Sequence, residues 1–599
     1  MTTAPNAPQP ASGSRPGPGR GRGWGARPWL LLGGAVACLG YLAIELWQLD
    51  GRLGWPLDDS WIHLQFARNL AAGRGLSYNP GELVTGSTAP LWTALLALLA
   101  WLPGNPFAWA QLAGGALYLG GIDATWRLAR ELGLSRGLAA LAGGLTLGTG
   151  WLVWAALSGM EIPLFVLLST WGMILHLRER AADAALAEPA HAGPVPVDPA
   201  DPAHAGSAPA DQADSPHSGL APADFAGGRA TLPLAPVVLA LAGLARPEGL
   251  LLLTLSLLDR CLRFRRDGDG PLRWSRPPFA RLAAGALLAA CALAGPLLFY
   301  RAAGGSFLPT TYAAKGGELR RWVPDLQYVY GVFGILLRSQ PYMTLLCCGG
   351  AAALVARLGT RRDRGLLPGL WLVALPLAYS ALSPAGPRLL AGNFGRYYFP
   401  LFPVVVVLGV LALEGAAGAL RAGVTAAGVR LPIVLALLVV LLWPTGTDLL
   451  QRAAFYSRNL ADVESSDVRA ARWLGPRLPA GALLAVNDIG AFKYLLPNRI
   501  VDLAGIANPE LLLEVRRQLA AGVAWDQAMA AALARRRPDY VAIFPAWLPR
   551  LPAALGLKPV LRLKMPDNVT MGSDELVVYS TPWTRYPLRR LPGDPADPA

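Results

Sequence analysis

LDDSWIHLQFARNLAAGRGLSYNPGELVTGSTAPLW, residues 57–92, is the stretch that decides how the rest of the chain is read. It is polar, and it lies between an apolar run at about 29–48 and a shorter one at 89–104. The first run is long enough to cross a bilayer, which takes about 20 apolar residues. No small-residue cleavage site closes it, so it reads as a signal-anchor helix with a loop beyond it. Further apolar segments follow near 107–128, 137–157, 160–177, 232–245, 248–259, 282–300, 341–356, 366–383, 397–413 and 429–444. Of 599 residues, 53% are apolar and only 15% charged, whereas a soluble chain carries about a quarter charged residues. This composition excludes a simple cytosolic enzyme, and it excludes a disordered scaffold, which needs low hydrophobicity.

The sidedness follows from the arginines. With 89–104 taken as an interfacial helix, the internal flanks at 15–27, 127–136, 178–180, 260–281, 357–364 and 421–430 collect 22 Arg, against about 11 Lys and Arg outside. By the positive-inside rule the N-terminus is then cytoplasmic and the C-terminal part external. The net charge of +14 is thereby a topological signal. No nucleic-acid motif accompanies it, and nucleic acid is not expected as a partner. The expected fold is a multi-pass α-helical membrane protein with about eleven transmembrane helices and an extracytoplasmic C-terminal α/β domain. Its parts are a disordered cytoplasmic tail (1–28), a membrane domain (29–444) with its first external loop at 49–106, a low-complexity insert (181–230), and the external domain (445–599). The segments 232–245 and 248–259 are short for single crossings and call for tilt, extension or re-entrance. The insert holds His191, His204 and His217, and reads as an acidic linker rather than a metal tract. The five cysteines have no CxxC spacing, so neither a disulfide framework nor a zinc site is indicated.

Candidates for chemistry sit where polar groups are costly. Asp58 and Asp59 lie just beyond the first span; they either cap a helix or serve as paired carboxylates. Asp59 and His63 are four apart and share a helical face. Arg246 either snorkels or binds an anion, with Glu248 as a cap or as its partner. Glu161 opens a span that it could cap. Tyr397 and Tyr398 fit an aromatic belt, with Arg396 beside them. Of 53 basic residues only four are lysines, and Lys315 is the only one in the membrane half. In a chain that habitually uses Arg, this singles Lys315 out as a phosphate-binding candidate. In the external part, Asp488 and Asp502 could contact a glycan or serve turns.

The run DDSWIHLQFARNL…GRGLSYNPGE…GSTAPLW resembles the first external loop of the GT-C superfamily of integral membrane glycosyltransferases. It is similar above all to the group containing the terminal arabinofuranosyltransferases of mycobacterial cell walls. Further matches follow in order: SGMEIPLF (158–165), ARPEG (245–249), FLPTTYAAK (307–315), GRYYFPLFP (395–403) and NDIGAFKYLLPNRIVDLAGIANPE (487–510). Thr85 and Ser87 stand where that pattern expects an acidic residue and an aromatic, and Trp61 and His63 replace small or aliphatic residues. The resemblance implies a GT-C fold in a bacterial inner membrane and transfer from a polyprenyl-phosphate-linked sugar. The acceptor would be an envelope glycan, lipid or protein. It implies a first-loop Asp, Asp58 or Asp59, as general base, with Asp58 favoured. Arg246, Lys315 and Arg396 would bind the donor phosphate, and His63, Glu161, Glu248, Tyr312 and Tyr397 would contact substrate. No cofactor is implied with certainty, although two adjacent carboxylates could hold a divalent cation. The competing reading is a non-enzymatic transporter, flippase or glycan-binding membrane protein for lipid-linked sugars.

Overall fold

A computed structural model describes residues 25–187, 232–265, 270–307, 309, 326–360, 363–382, 395–423 and 427–592. Lys315, Tyr312 and the three insert histidines lie outside the described residues. The first ten helices are α1 (Ala26–Gln48), α2 (Asp58–Ala71), α3 (Pro90–Leu99), α4 (Pro106–Glu131), α5 (Arg136–Leu147), α6 (Gly150–Leu157), α7 (Ile162–Ala187), α8 (Ala235–Ala245), α9 (Glu248–Cys261) and α10 (Phe279–Gly304). After them come α11 (Leu326–Ser339), α12 (Pro341–Ala356), α13 (Leu367–Leu382), α14 (Phe402–Gly423) and α15 (Ala427–Val463). Among the described residues four helices are long and apolar enough to cross a membrane, and five if α5 and α6 count as one bent span. Five more apolar helices run only 10–17 residues, and α4 and α7, at 26 residues each, are not among the helices that qualify, so about eleven spans is not a number that helix length and composition establish.

Sequence explains several of these elements directly. The span expected at 137–157 is broken, with α5 and α6 bent by 57° at Gly148–Thr149. The carbonyl of Leu145, freed by the break, accepts from Thr149 Oγ1 and Gln340 Nε2, which is how a kink inside a bundle is satisfied. The two short segments flagged above are α8 and α9, separated at Arg246–Pro247. Proline disfavours helical geometry in the residue before it, and Arg246 is extended (φ −154°, ψ 139°). At 10 residues, α3 is too short to span, consistent with an interfacial helix.

The last long helix carries the sequence out of the apolar layer. With 37 residues, α15 is about 55 Å long, nearly twice a hydrocarbon core of about 30 Å. Its first half exposes Val434, Leu435 and Val439; its second half carries Asp448, Arg452 and Asp462. The expected domain boundary at 444/445 therefore falls inside one continuous helix. It runs through a π-turn at Glu464–Val468 into α16 (Arg469–Leu474).

Beyond it lie β1 (Leu484–Val486), α17 (Gly490–Leu495), β2 (Ile500–Asp502), α18 (Pro509–Ala520), α19 (Trp525–Arg536), β3 (Tyr540–Ile543), β4 (Lys558–Lys564) and β5 (Glu575–Ser580). The sheet order is β2-β1-β3-β5-β4, with β2, β1 and β3 parallel and the other pairings antiparallel. Side chains alternate across a strand, and this sheet buries both faces. Ala485, Val541, Ile543 and Val577 pack on α18 and α19. Leu484, Val486, Tyr540 and Val578 pack in a second cluster that includes Ile62, Phe66 and Tyr78 from the first loop. The first loop thus completes the core of the C-terminal domain.

Candidate functional site

The site forms where α2 begins. Leu57, not an Asp, is the N-cap of α2, and no side chain caps that helix. Asp58 reaches out of its own helix to the C-terminal domain: Gly490 N donates to Oδ2 (2.6 Å) and Ala491 N to Oδ1 (2.7 Å). Asp59 turns the other way and pairs with Arg396 Nη2. The two adjacent carboxylates therefore diverge. Among the described residues no group of three or more His, Cys, Asp or Glu side chains is arranged to hold a metal ion.

Arg396 opens a 3-10 turn, Arg396–Leu401, after Gly395 in the left-handed region (φ 67°). A β-carbon on Gly395 would also sit 2.0 Å from Ile335 Cδ1, so the turn demands glycine. Arg246, at the break between α8 and α9, is buried rather than snorkelling. Its Nη1 pairs with Glu161 Oε1, and its Nη2 with Glu248 Oε1 at 2.7 Å. Glu248 also accepts from the Tyr379 hydroxyl. The Tyr397 ring joins the two cations, with Arg246 at 5.1 Å and Arg396 at 5.6 Å from its centroid. Glu161 follows a tight turn in which Gly159 takes φ 74°, with the Trp55 ring so close that a β-carbon would meet it at 2.6 Å. His63 Nε2 lies 3.1 Å from Glu161 Oε2.

One network therefore runs Asp59–Arg396–Tyr397–Arg246–Glu161–His63, with Glu248 and Tyr379 branching from Arg246. The i, i+4 pair Asp59 and His63 feeds both of its ends. Several polar atoms in it are buried with no hydrogen-bond partner among the described residues: Arg396 Nε, Glu248 Oε2 and His63 Nδ1. Unpaired buried donors and acceptors are costly, and they mark where a polar ligand would be welcome.

Electrostatics distinguish the two first-loop carboxylates. Burial pushes the Asp58 carboxyl up to about 7. The amides of Ala491 and Gly490 oppose that rise, while the charges of Asp59 and Asp502 add to it. Burial likewise lifts Asp488 and Asp467 well above the carboxylate range, helped by Asp58, and raises Asp502 to about 6. Asp502 accepts from Ala504 N and Ala507 N, a turn role. Asp467 sits in the π-turn, fully buried, and neither of its oxygens has a hydrogen-bond partner among the described residues. Sequence reading missed Asp467, Gly490 and Tyr379. Only the Gly in NDIGAF offered a signal, and it was read as family pattern rather than as a contact.

A family model described as "Domain of unknown function (DUF8728)" matches residues 457–581, the sheet domain with the helix that leads into it. No curated protein matches the chain in sequence. Two solved structures of ArnT from Cupriavidus metallidurans are similar in fold. The undecaprenyl phosphate-bound form has a TM-score of 0.53 at 15% identity, and the match covers 93% of this chain and 98% of that one. The apo form has the same TM-score and coverage at 16% identity. The archaeal oligosaccharyltransferase AglB from Archaeoglobus fulgidus, in complex with an inhibitory peptide and a dolichol-phosphate, has a TM-score of 0.50 at 12% identity, covering 94% of this chain and 77% of that one. At these identities the likeness shows the fold alone, a helical domain followed by a C-terminal sheet domain.

Proposed function

We propose that the chain is a membrane glycosyltransferase that moves a sugar from a polyprenyl monophosphate to a hydroxyl on an envelope glycan, lipid or protein. The observation that carries this reading is the network itself. Residues from four separated stretches (59–63, 161, 246–248 and 396–397) place carboxylates and guanidinium groups in one cluster, with Asp58 beside it. That pairing suits inverting transfer from a lipid phosphate. The acceptor O–H gives its proton to a carboxylate while its oxygen bonds to the anomeric carbon. The bond from that carbon to the phosphate oxygen breaks, and the polyprenyl phosphate leaves with the negative charge. Asp58 is the better base. A carboxylate has about four acceptor directions, so two amides leave it free capacity, and a proton affinity near neutrality suits general-base work. Asp59 holds Arg396. Arg246 and Arg396 face the charge that develops on the phosphate, and Lys315 is assigned as a third cation there. Similarity to ArnT bound to undecaprenyl phosphate supports the donor class; Trp61, His63, Thr85 and Ser87 depart from the arabinofuranosyltransferase-like pattern, so no particular sugar is assigned. The site opens on the extracytoplasmic face of the inner membrane.

The test is transfer by the purified full-length chain from a panel of polyprenyl-phosphate sugars, with and without divalent cation. Asp58→Asn should abolish transfer and leave the protein folded. Full activity in Asp58→Asn, Asp59→Asn and the double variant would remove the base.

A further inference from the structure

The groups that hold Asp58 belong to the sheet domain, and to its backbone. Gly490 N and Ala491 N, at the start of α17, each donate to one carboxylate oxygen. Gly490 is not among the residues with positive φ, so its backbone does not require glycine; the contact does. A β-carbon there would sit 2.2 Å from the Asp58 carbonyl oxygen and 2.7 Å from Oδ1. The same segment is fastened to the first loop on both sides. Tyr78 Oη donates to the Ile489 carbonyl (2.5 Å), and Arg68 Nη1 donates to the Tyr494 carbonyl (2.9 Å) with its guanidinium 4.5 Å from the Tyr494 ring centroid. Asn79 makes a two-way pair with the backbone of Ile500, at 3.1 Å in each direction.

We propose that the segment Ile489–Ala491 is part of the catalytic apparatus: its two peptide N–H groups aim the Asp58 carboxylate, and Gly490 is the positioning residue that lets them reach it. The inference rests on Asp58 being the base. Each amide engages one oxygen, which leaves each oxygen a further acceptor direction. Both amides also favour the ionised form against the cost of burial. The sheet domain is then no separable appendage for acceptor binding. It sets both the aim and the proton affinity of a residue some 430 positions earlier in the chain.

Gly490→Ala pushes this backbone away from Asp58. In the full-length protein it should lower kcat about a hundredfold, the scale of an ångström-level misplacement, with donor KM unchanged. It should also shift the acid limb of kcat to higher pH, because donors to the charged form are lost. Ala491→Pro deletes one of the two N–H groups at a first-turn position that proline tolerates, and should act in the same sense. Independently of activity, Asp58→Ala should speed hydrogen exchange in the peptide spanning 487–495, measured by mass spectrometry. If Asp58→Asn is inactive while both backbone variants keep wild-type kcat and acid limb, the inference is overturned and the base stands. Unchanged exchange in Asp58→Ala also overturns it, even where Gly490→Ala does not fold. If Asp58→Asn, Asp59→Asn and the double variant are fully active, the base assignment itself falls.

Discussion

With Asp58 as the proposed base, lowering the pH should silence transfer well above the range in which carboxylates ordinarily titrate. The base must be ionised to accept a proton, and burial holds the Asp58 carboxyl at about 7 against an ordinary 3.8. Activity is therefore lost as pH falls through about 7: a change from pH 8 to pH 6 should cut kcat/KM about tenfold, and pH 5 about a hundredfold. Stability responds in the opposite direction. The folded carboxyl has the higher proton affinity, so between about pH 4 and 7 the folded state keeps a proton that the unfolded chain has released. This group's contribution therefore declines as pH rises across that window, by about 4 kcal/mol at about 1.4 kcal/mol per pH unit. Asp59 supplies a separable check, because its charge raises the proton affinity of Asp58. Asp59→Asn removes that charge and releases Arg396, so the acid limb should move to lower pH even as kcat falls. The assay is initial-rate transfer by purified protein from pH 5 to 9 with the donor found in the panel. A flat profile between pH 5 and 8, or a limb that stays in place in Asp59→Asn, would refute the reasoning.

Arg246→Gln leaves Glu161 and Glu248 buried beside a neutral partner. Breaking a buried ion pair from one side costs about 3–5 kcal/mol, so its thermal midpoint in detergent should fall sharply, and undecaprenyl phosphate binding with it. Arg260 is fully buried between Glu179 and Asp183, on the same helix as Glu248 but about 18 Å further along it. Arg260→Gln should lose stability on the same scale while the folded fraction keeps its kcat, as read by melting curves beside specific activity. Lys315→Ala should raise donor KM and leave acceptor KM unchanged; unaltered donor kinetics would take Lys315 out of the phosphate site.

Much of the fold was legible because hydrophobic length and arginine placement are local properties. The apolar stretches ALLAVNDIGAF (482–492) and DYVAIF (539–544) contain the buried strands β1 and β3, and the short segments 232–245 and 248–259 meet at a break, Arg246–Pro247. What did not read out were relations that composition does not encode. The boundary at 444/445 follows a change in hydropathy, but a helix can run from an apolar to a polar stretch without interruption, and α15 does. Spacing leaves Glu248 as a cap or as the partner of Arg246, and the structure pairs them; that Glu161 completes the pairing from 85 residues away is not encoded in spacing at all.

The first-loop aspartates show why a motif read as one unit need not act as one. Adjacent residues at the start of a helix point about 100° apart, so DD is two addresses rather than a single paired site. Asp58 meets peptide N–H groups of the sheet domain, and Asp59 meets Arg396. That divergence argues against one cation bridging both, since each carboxylate already has its own source of positive charge. The positive-inside reading assigns 22 of the 49 arginines to one side; Arg246 and Arg396 are instead buried beside carboxylates. A buried cation neutralised on one side and bearing an unpaired N–H on the other, as Arg396 does among the described residues, is primed for an anion that arrives and leaves. On the proposed function a polyprenyl phosphate does both in each turnover, which puts the phosphate beside Arg246 and Arg396 and the proton acceptor at Asp58, outside that network and against the sheet domain.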